Sequence, residues 1–304
     1  GQGEGSLTVH EGVTASGYPR TKMNKSELAA WRPRVVALDI DGTLVDHEGV
    51  LPRNVRRAIR QTTAAGVPVV LTTGRSWHAT RPVFEQLDLP TGPAIASNGA
   101  VIVQFPPLEL LSVRTFDPAD VIEKVLREHP TAAIAAEVIG VGYRVTRQFP
   151  DGDLTGEIVE VSADDLAGSD VTRIIVRDPE SSDAEFIDLA GRLGLHGVSY
   201  SVGWSAWLDI APAGVNKASA LADVVHDMGY AAADVLAIGD GRNDIEMLTW
   251  AGRGVAVGDA CADVQAAADD VTGCFADGGT AAELDRWFAP RLRGRAWEPA
   301  ALAS

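Results

Sequence analysis

From Arg34 onward the chain alternates short apolar runs with amphipathic stretches. Val35–Ile40 is a valine-rich run bounded by polar residues, the signature of a strand covered on both faces. Pro52–Ala65 places Val55, Ala58, Ile59 and Thr62 at helical spacing and stops at Gly66, which predicts a helix. Val67–Thr72 reads as the next strand, Ser76–Leu87 as a helix, and Ala94–Ser97 as a short strand running into an Asn98-Gly99 turn. The rhythm returns late in the chain. Asn216–Met228 is a helix carrying Ala218, Leu221, Val224, Val225 and Met228 on one face. Val235–Ile238 and Gly254–Val257 are strands, and Asp244–Ala251, Ala262–Ala268 and Thr280–Phe288 are helices. Alternating strands and helices imply an α/β fold, a doubly wound parallel Rossmann-like sheet with helices on both faces.

Between residues 104 and 205 the texture changes. Helices are expected at Asp117–His129 and Ser182–Leu193, and strands at Ala132–Ile139, Gly142–Thr146, Val171–Val176 and Val198–Val202. This predicts a small inserted α+β domain over 104–205, splitting a core made of 32–103 and 206–290. Residues 1–31 and 291–304 read as tails, the first flexible, the second irregular and docked by Trp297.

Composition narrows the function classes. The chain has 304 residues, 46% hydrophobic and 22% charged, and is expected to be globular with an ample core. No apolar run reaches the roughly 18 residues that a membrane span needs. Gly1–Gly17 is small and polar, unlike a signal peptide, so the expected location is cytoplasmic, with no membrane partner. Cys261 and Cys274, the only cysteines, are too few for a disulfide framework or a cysteine zinc site and are expected to be packing residues. A formal charge of −16 argues against nucleic acid and repels phosphorylated molecules at long range, so a site for them must supply its own positive field. Arginine outnumbers lysine 22 to 4, and Lys217 is one of only two lysines beyond the N-terminal tail.

Four segments carry candidate chemistry. In the first, Val35–Leu38 runs into Asp39-Ile40-Asp41-Gly42-Thr43-Leu44, two carboxylates one residue apart at a strand end. That is where open α/β sheets bind ligands, although Asp-Gly-Thr is also ordinary turn chemistry. In the second, Leu71-Thr72-Thr73-Gly74-Arg75 puts a hydroxyl and free N–H groups at a helix start, a phosphate cradle or a plain N-cap. The third, Pro212-Ala213-Gly214-Val215-Asn216-Lys217, delivers a lysine to the first turn of a helix, where the dipole disfavours a cation unless an anion lies nearby. The fourth, Ala237-Ile238-Gly239-Asp240-Gly241-Arg242-Asn243-Asp244, ends another strand in a carboxylate, with Asp244 one turn onward as a second oxygen donor or an N-cap. Asp39, Asp41, Asp240 and Asp244 on one sheet edge would repel one another without a cation, which points to Mg²⁺.

Together these segments resemble the haloacid dehalogenase-like (HAD) phosphohydrolases, in their Cof-type branch. The resemblance also takes in Ser97-Asn98-Gly99-Ala100, Leu208-Asp209-Ile210-Ala211-Pro212 and Val264-Gln265-Ala266-Ala267-Ala268-Asp269, and extends over about residues 34–290. It implies a phosphatase of small phosphorylated metabolites, sugar phosphates first, with Asp39 as nucleophile and Asp41 as acid and base. Thr73, Gly74 and Lys217 would bind phosphate. Asp39, the backbone carbonyl of Asp41 and Asp240 would hold Mg²⁺, with Asn243 and Asp244 orienting the metal's waters and Lys217. The insertion between Thr73 and Lys217 sits where that branch carries its cap. Asp259 departs from the asparagine that relatives often carry after glycine, which leaves the hydrogen bonding there open. Sugar phosphomutase and a non-catalytic phospholigand-binding protein are the competing readings. Trp204, Trp207 and Glu137 are candidate cap contacts to ligand, although aromatic residues in such positions are more often core.

Overall fold

A computed structural model of the chain describes residues 22–178, 181–182, 184–185, 188, 198–202 and 207–290. Most of the expected helix at Ser182–Leu193, residues 1–21, Trp204 and the segment 291–304 with Trp297 lie outside the described residues.

The chain begins with α1 (Lys25–Ala30), β1 (Val35–Leu38), α2 (Arg53–Ala64), β2 (Val69–Thr72), α3 (Trp77–Leu87), β3 (Gly92–Ala96), β4 (Val101–Phe105) and β5 (Glu109–Val113). The insertion contributes α4 (Ala119–Glu128), β6 (Ala133–Val138), β7 (Gly142–Val145), β8 (Glu157–Glu160), α5 (Ala163–Ala167), β9 (Ile174–Arg177), β10 (Val198–Val202) and β11 (Trp207–Pro212). The chain then returns through α6 (Lys217–Asp227), β12 (Val235–Gly239), α7 (Ile245–Trp250), β13 (Arg253–Ala256), α8 (Ala262–Ala267), β14 (Asp270–Val271) and α9 (Gly279–Phe288).

The larger sheet has eight strands in the order β14-β13-β12-β1-β2-β3-β4-β5. It is parallel from β14 to β3 and antiparallel across β4 and β5. The period-two alternation of strands builds two cores from one sheet. Val36 and Leu38 of β1 join Leu236 and Ile238 of β12 in one, under α2, α3 and α9. Val35 and Ala37 join Val235 and Ala237 in the other, under α6, α7 and α8. All four residues of β1 are fully buried, as the unbroken apolar run requires. β1 lies between β2 and β12, so the chain leaves its first strand to one side and returns on the other, leaving a crevice at the carboxyl ends of the strands.

The smaller sheet has the order β10-β11-β9-β6-β7-β8. Ile134 and Ala136 pack on one face with Val121, Ile122 and Val125 of α4 and Leu166 of α5. Ala133, Ala135, Tyr143, Phe149 and Ile175 occupy the other, with Trp207 against them. Because β4 and β5 pair with β3 in the larger sheet and β11 belongs to the smaller one, the two sheets part between 113 and 119 and between 212 and 217. Both divisions fall later than the expected 103–104 and 205–206. The apolar run Val101–Phe105 is β4, which pairs antiparallel with β3 and β5 at the edge of the core sheet, a pairing that local patterning does not distinguish from the start of a new domain.

The expected flexible tail contains a helix. Asn24 and Glu27 form a reciprocal capping box that starts α1. Trp31 then docks against Trp287 at 5.2 Å between ring centroids, and its indole N–H donates to the carbonyl of Ala233 at 2.7 Å. The cysteines also differ from expectation: Cys261 is exposed and Cys274 half-buried, neither in a core. No described helix is long and apolar enough to cross a membrane.

Candidate active site

Parallel register sets the geometry. Leu38 is level with Ile238 of β12 and with Leu71 of β2, so the residues that follow emerge side by side on one edge. Asp39, Thr73 and Asp240 all leave from that edge, and the short turn Arg242–Asp244 places Asp244 behind Asp240.

Lys217, at the first position of α6, is fully buried. Its Nζ donates to Asp39 Oδ1 and to Asp244 Oδ1, each at 2.6 Å. These are the compensating anions that a lysine at a helix N-terminus requires. Burial disfavours the ammonium, but two carboxylates outweigh it and hold the lysine charged, well above its ordinary value. Asp39 is raised well above the usual carboxylate range, first by burial and then by the charge of Asp244, with Lys217 opposing. Asp240 is pushed up to about 6, again by burial first and Asp244 next, while a hydrogen bond from Thr43 Oγ1 at 2.7 Å opposes the shift.

Asp244 has both oxygens engaged. Oδ1 takes Lys217, and Oδ2 accepts the backbone N–H groups of Asp240 and Gly241 at 3.0 and 2.9 Å. It therefore fixes the loop that carries Asp240. Asp39, Asp240 and Asp244 each offer a carboxylate oxygen, all within 4.8 Å of one another. A donor set of oxygens only, in which burial first and the neighbouring carboxylate charge next raise Asp39 and Asp240, fits a hard divalent cation such as Mg²⁺. Gly42 closes the loop over this set. Its φ is +75°, and a Cβ there would stand 2.3 Å from Asp240 Oδ2.

Asp41 is placed differently from the other acids. Its carboxylate is held by Arg75, through Nε to Oδ2 at 2.8 Å and Nη2 to Oδ1 at 2.5 Å. Three of the four acids thus cluster closely, while Asp41, whose charge still bears on Asp240, is paired with a guanidinium that the sequence left without a partner. Thr73 is fully buried, and its hydroxyl accepts the Arg75 N–H at 3.0 Å, an arrangement that leaves the hydroxyl proton to donate elsewhere. Gly74 lies under two amides: a Cβ there would meet Asn98 Oδ1 at 3.1 Å and Asn243 Nδ2 at 3.2 Å. Asn243 donates to Asn98 Oδ1 at 2.9 Å, and Asn98 donates to Asp209 Oδ2 at 3.1 Å.

All eight candidate residues thus lie at one edge, in three groups: Asp39–Lys217–Asp244 with Asp240; Asp41 with Arg75; and Thr73–Gly74 beside Asn243. Asn98, Asp209 and Arg173 join the last group, a contact that no single segment announces. Asp259 accepts the backbone N–H of Phe275 at 2.6 Å, which answers how the hydrogen bonding at that departure is made. Trp207 packs edge-on against Phe149 at 6.4 Å as part of the cap's smaller core. Glu137 is buried and accepts from Ser97 Oγ.

The family model for haloacid dehalogenase-like hydrolase matches residues 36–284, which include every candidate residue above. The chain belongs to the haloacid dehalogenase-like hydrolases. The family model and the phosphatase relatives place this HAD chain in the Cof-type branch, and the enzyme is a phosphoric monoester hydrolase for small phosphorylated molecules. It is 28% identical over 257 residues to the 5-amino-6-(5-phospho-D-ribitylamino)uracil phosphatase of Bacillus subtilis, covering 84% of this chain and 95% of that protein. It is also 28% identical over 264 residues to the pyridoxal phosphate phosphatase of Escherichia coli, with 79% and 93% covered. Among solved structures, a HAD phosphatase from Bacteroides thetaiotaomicron superposes with a TM-score of 0.69 at 26% identity, covering 84% of this chain and 95% of that one.

Proposed function

We propose that this HAD hydrolase is a Mg²⁺-dependent phosphatase of sugar-phosphate-like metabolites that works through an aspartyl-phosphate at Asp39. The observation that carries the reading is the buried Lys217 ammonium shared at 2.6 Å between Asp39 and Asp244, with Asp240 beside them. A carboxylate held this way is oriented and partly neutralised, as a nucleophile approaching an anionic phosphate requires.

A carboxylate oxygen of Asp39 attacks phosphorus, and the ester P–O bond breaks with its electron pair on the departing oxygen. Asp41 gives that oxygen a proton. Water then attacks the phosphorus of the aspartyl-phosphate while Asp41 takes its proton, and the Asp39–P bond breaks to release inorganic phosphate. The hydroxyl of Thr73, the amide N–H of Gly74 and the ammonium of Lys217 bind the phosphoryl oxygens. In the resting geometry Arg75 engages both oxygens of Asp41, so Asp41 leaves this clasp when it handles protons. Asp39, the Asp41 carbonyl and Asp240 are the groups that would hold Mg²⁺, and a bound ion would supply charge neutralisation between nucleophile and phosphate. Asn243 and Asp244 keep that loop in place.

The two curated relatives named above are phosphatases of a phosphorylated ribityl compound and of pyridoxal phosphate. This supports a small, polar phosphate monoester as substrate; we take sugar phosphates first and phosphorylated cofactors next. The test is phosphate release over a panel of such monoesters with Mg²⁺ supplied. Turnover that Asp39→Asn abolishes and chelation stops supports the reading, and wild-type protein that binds sugar phosphates without ever releasing phosphate sinks it.

A further inference from the structure

The cap reaches the phosphate loop through a chain of side chains whose polarity is set from the cap side. Arg173, just before β9, donates to Asp209 of β11 through Nε to Oδ1 at 2.9 Å and Nη2 to Oδ2 at 2.6 Å. Both residues are buried. The Asp209 carboxylate, ion-paired with the guanidinium, acts as acceptor, so the Asn98 amide must turn its NH₂ toward it. That leaves Asn98 Oδ1 facing the other way, where it takes the NH₂ of Asn243. Asn243 in turn must point its own oxygen elsewhere. It lies against Gly241, where a Cβ would stand 2.4 Å away, in the loop next to Asp240. One carboxylate on the cap thus fixes two amides in succession, and the second abuts the loop of Asp240.

The turn that holds Asn98 supports the same reading. Ser97 and Asn98 both have left-handed backbone, with φ of 50° and 52°, in a buried segment. Two consecutive non-glycine residues in that region are strained, and such strain persists only where the surroundings over-determine it. Here the backbone N–H groups of Ser97 and Asn98 bond to the carbonyls of Arg75 and Thr73 at 2.8 and 3.0 Å, which ties the turn to the phosphate loop itself. Ser97 Oγ bonds Glu137 of β6, a second cap carboxyl landing on the same turn.

We propose that Asp209 is a positioning residue that acts through Asn98 and Asn243, so that the phosphate cradle and the Asp240 loop are complete only when the cap is docked. This rests on the proposed cradle at Thr73, Gly74 and Lys217. It adds that the cap sets the affinity for the phosphoryl group itself, independently of any contact to the leaving group.

The experiment uses the full chain with Mg²⁺ and reads inorganic phosphate affinity by calorimetry, kcat and KM for a small aryl phosphate, and Tm. Asn98→Gly removes the side chain while tolerating positive φ, and Asp209→Asn removes the fixed polarity. Each is expected to weaken phosphate binding roughly tenfold, the effect of one buried hydrogen bond, with a matching loss in kcat/KM. The swap of Asn98→Asp with Asp209→Asn restores a donor facing an acceptor and is expected to recover part of the phosphate affinity while Tm stays lowered by the broken Arg173 pair, whereas a merely structural role would move affinity and Tm together. Phosphate affinity within about twofold of wild type in both single variants overturns the proposal, as does a swap no better than either of them. If Asn98→Gly does not fold, Asp209→Asn and the swap decide by the same criteria. Wild-type protein that binds phosphate but hydrolyses nothing sinks the proposed function alone, whereas active wild type with unaffected variants sinks this inference alone.

Discussion

Lys217 carries the strongest constraint on any single side chain. A fully buried ammonium between two carboxylates is neutral to stability at best when intact, but removing one partner leaves uncompensated charge. Lys217→Met is expected to lower the unfolding free energy by about 3 kcal/mol in urea titration and to abolish turnover. A variant of wild-type stability would show that the carboxylates are not charged against the lysine. A second expectation concerns protons and metal. Asp240 stands at about 6 without a cation, so below that pH Mg²⁺ must displace a proton. Mg²⁺ affinity is expected to fall as the pH drops through about 6, Asp240 alone contributing about tenfold per pH unit below it. Calorimetric titration across pH 5–8 that showed no such break would contradict the assignment of Asp240. At this scale the sequence was most legible where chemistry sits at an element boundary. Asp39, Thr73, Lys217 and Asp240 each end a strand or open a helix, which local pattern marks. The pairing of Asp41 with Arg75, and of Asn98 with Asp209 across 111 positions, is made by tertiary contact between segments that local pattern marks singly but does not join.

Among the elements, the loop after β1 and the turn that precedes α2 make a controlled comparison. Gly42 and Gly49 both have positive φ, +75° and +80°, but only Gly42 abuts another group. Gly49→Ala is expected to cost about 1 kcal/mol of backbone strain and to leave kcat/KM unchanged. Gly42→Ala adds a Cβ 2.3 Å from Asp240 Oδ2, so it is expected to cost similar backbone strain and also to lose Mg²⁺ binding. Equal activity in the two variants would contradict the close approach of this loop to Asp240. Strands and helices of the core could be read because period two and period 3.6 coincide with burial, as in β1 and α2. Four of the elements that escaped did so for identifiable reasons. β8 is exposed at all four positions and has no alternation to read. β5 is an edge strand exposed along most of its length. α5 has five residues, too few for a periodic signal. α1 buries none of its residues, and its signature lies in the Asn24–Glu27 capping box rather than in an apolar face.

Over the whole molecule, one sheet places three carboxylates and a lysine in a crevice, and a second sheet set over the same edge touches the loops around it. The fold class followed from the alternation of elements, while the points where the two sheets part did not, because strands on either side of a domain boundary carry the same local pattern. The central claim is covalent: the phosphoryl group passes through Asp39. It is tested most directly by rapid acid quench of the full-length enzyme turning over a ³²P-labelled phosphate monoester with Mg²⁺, followed by peptide mapping. Label on the peptide containing Asp39, appearing before free phosphate and absent in Asp39→Asn, is the expected result. Steady phosphate release with no label on protein at any quench time, or undiminished release by Asp39→Asn, would contradict it.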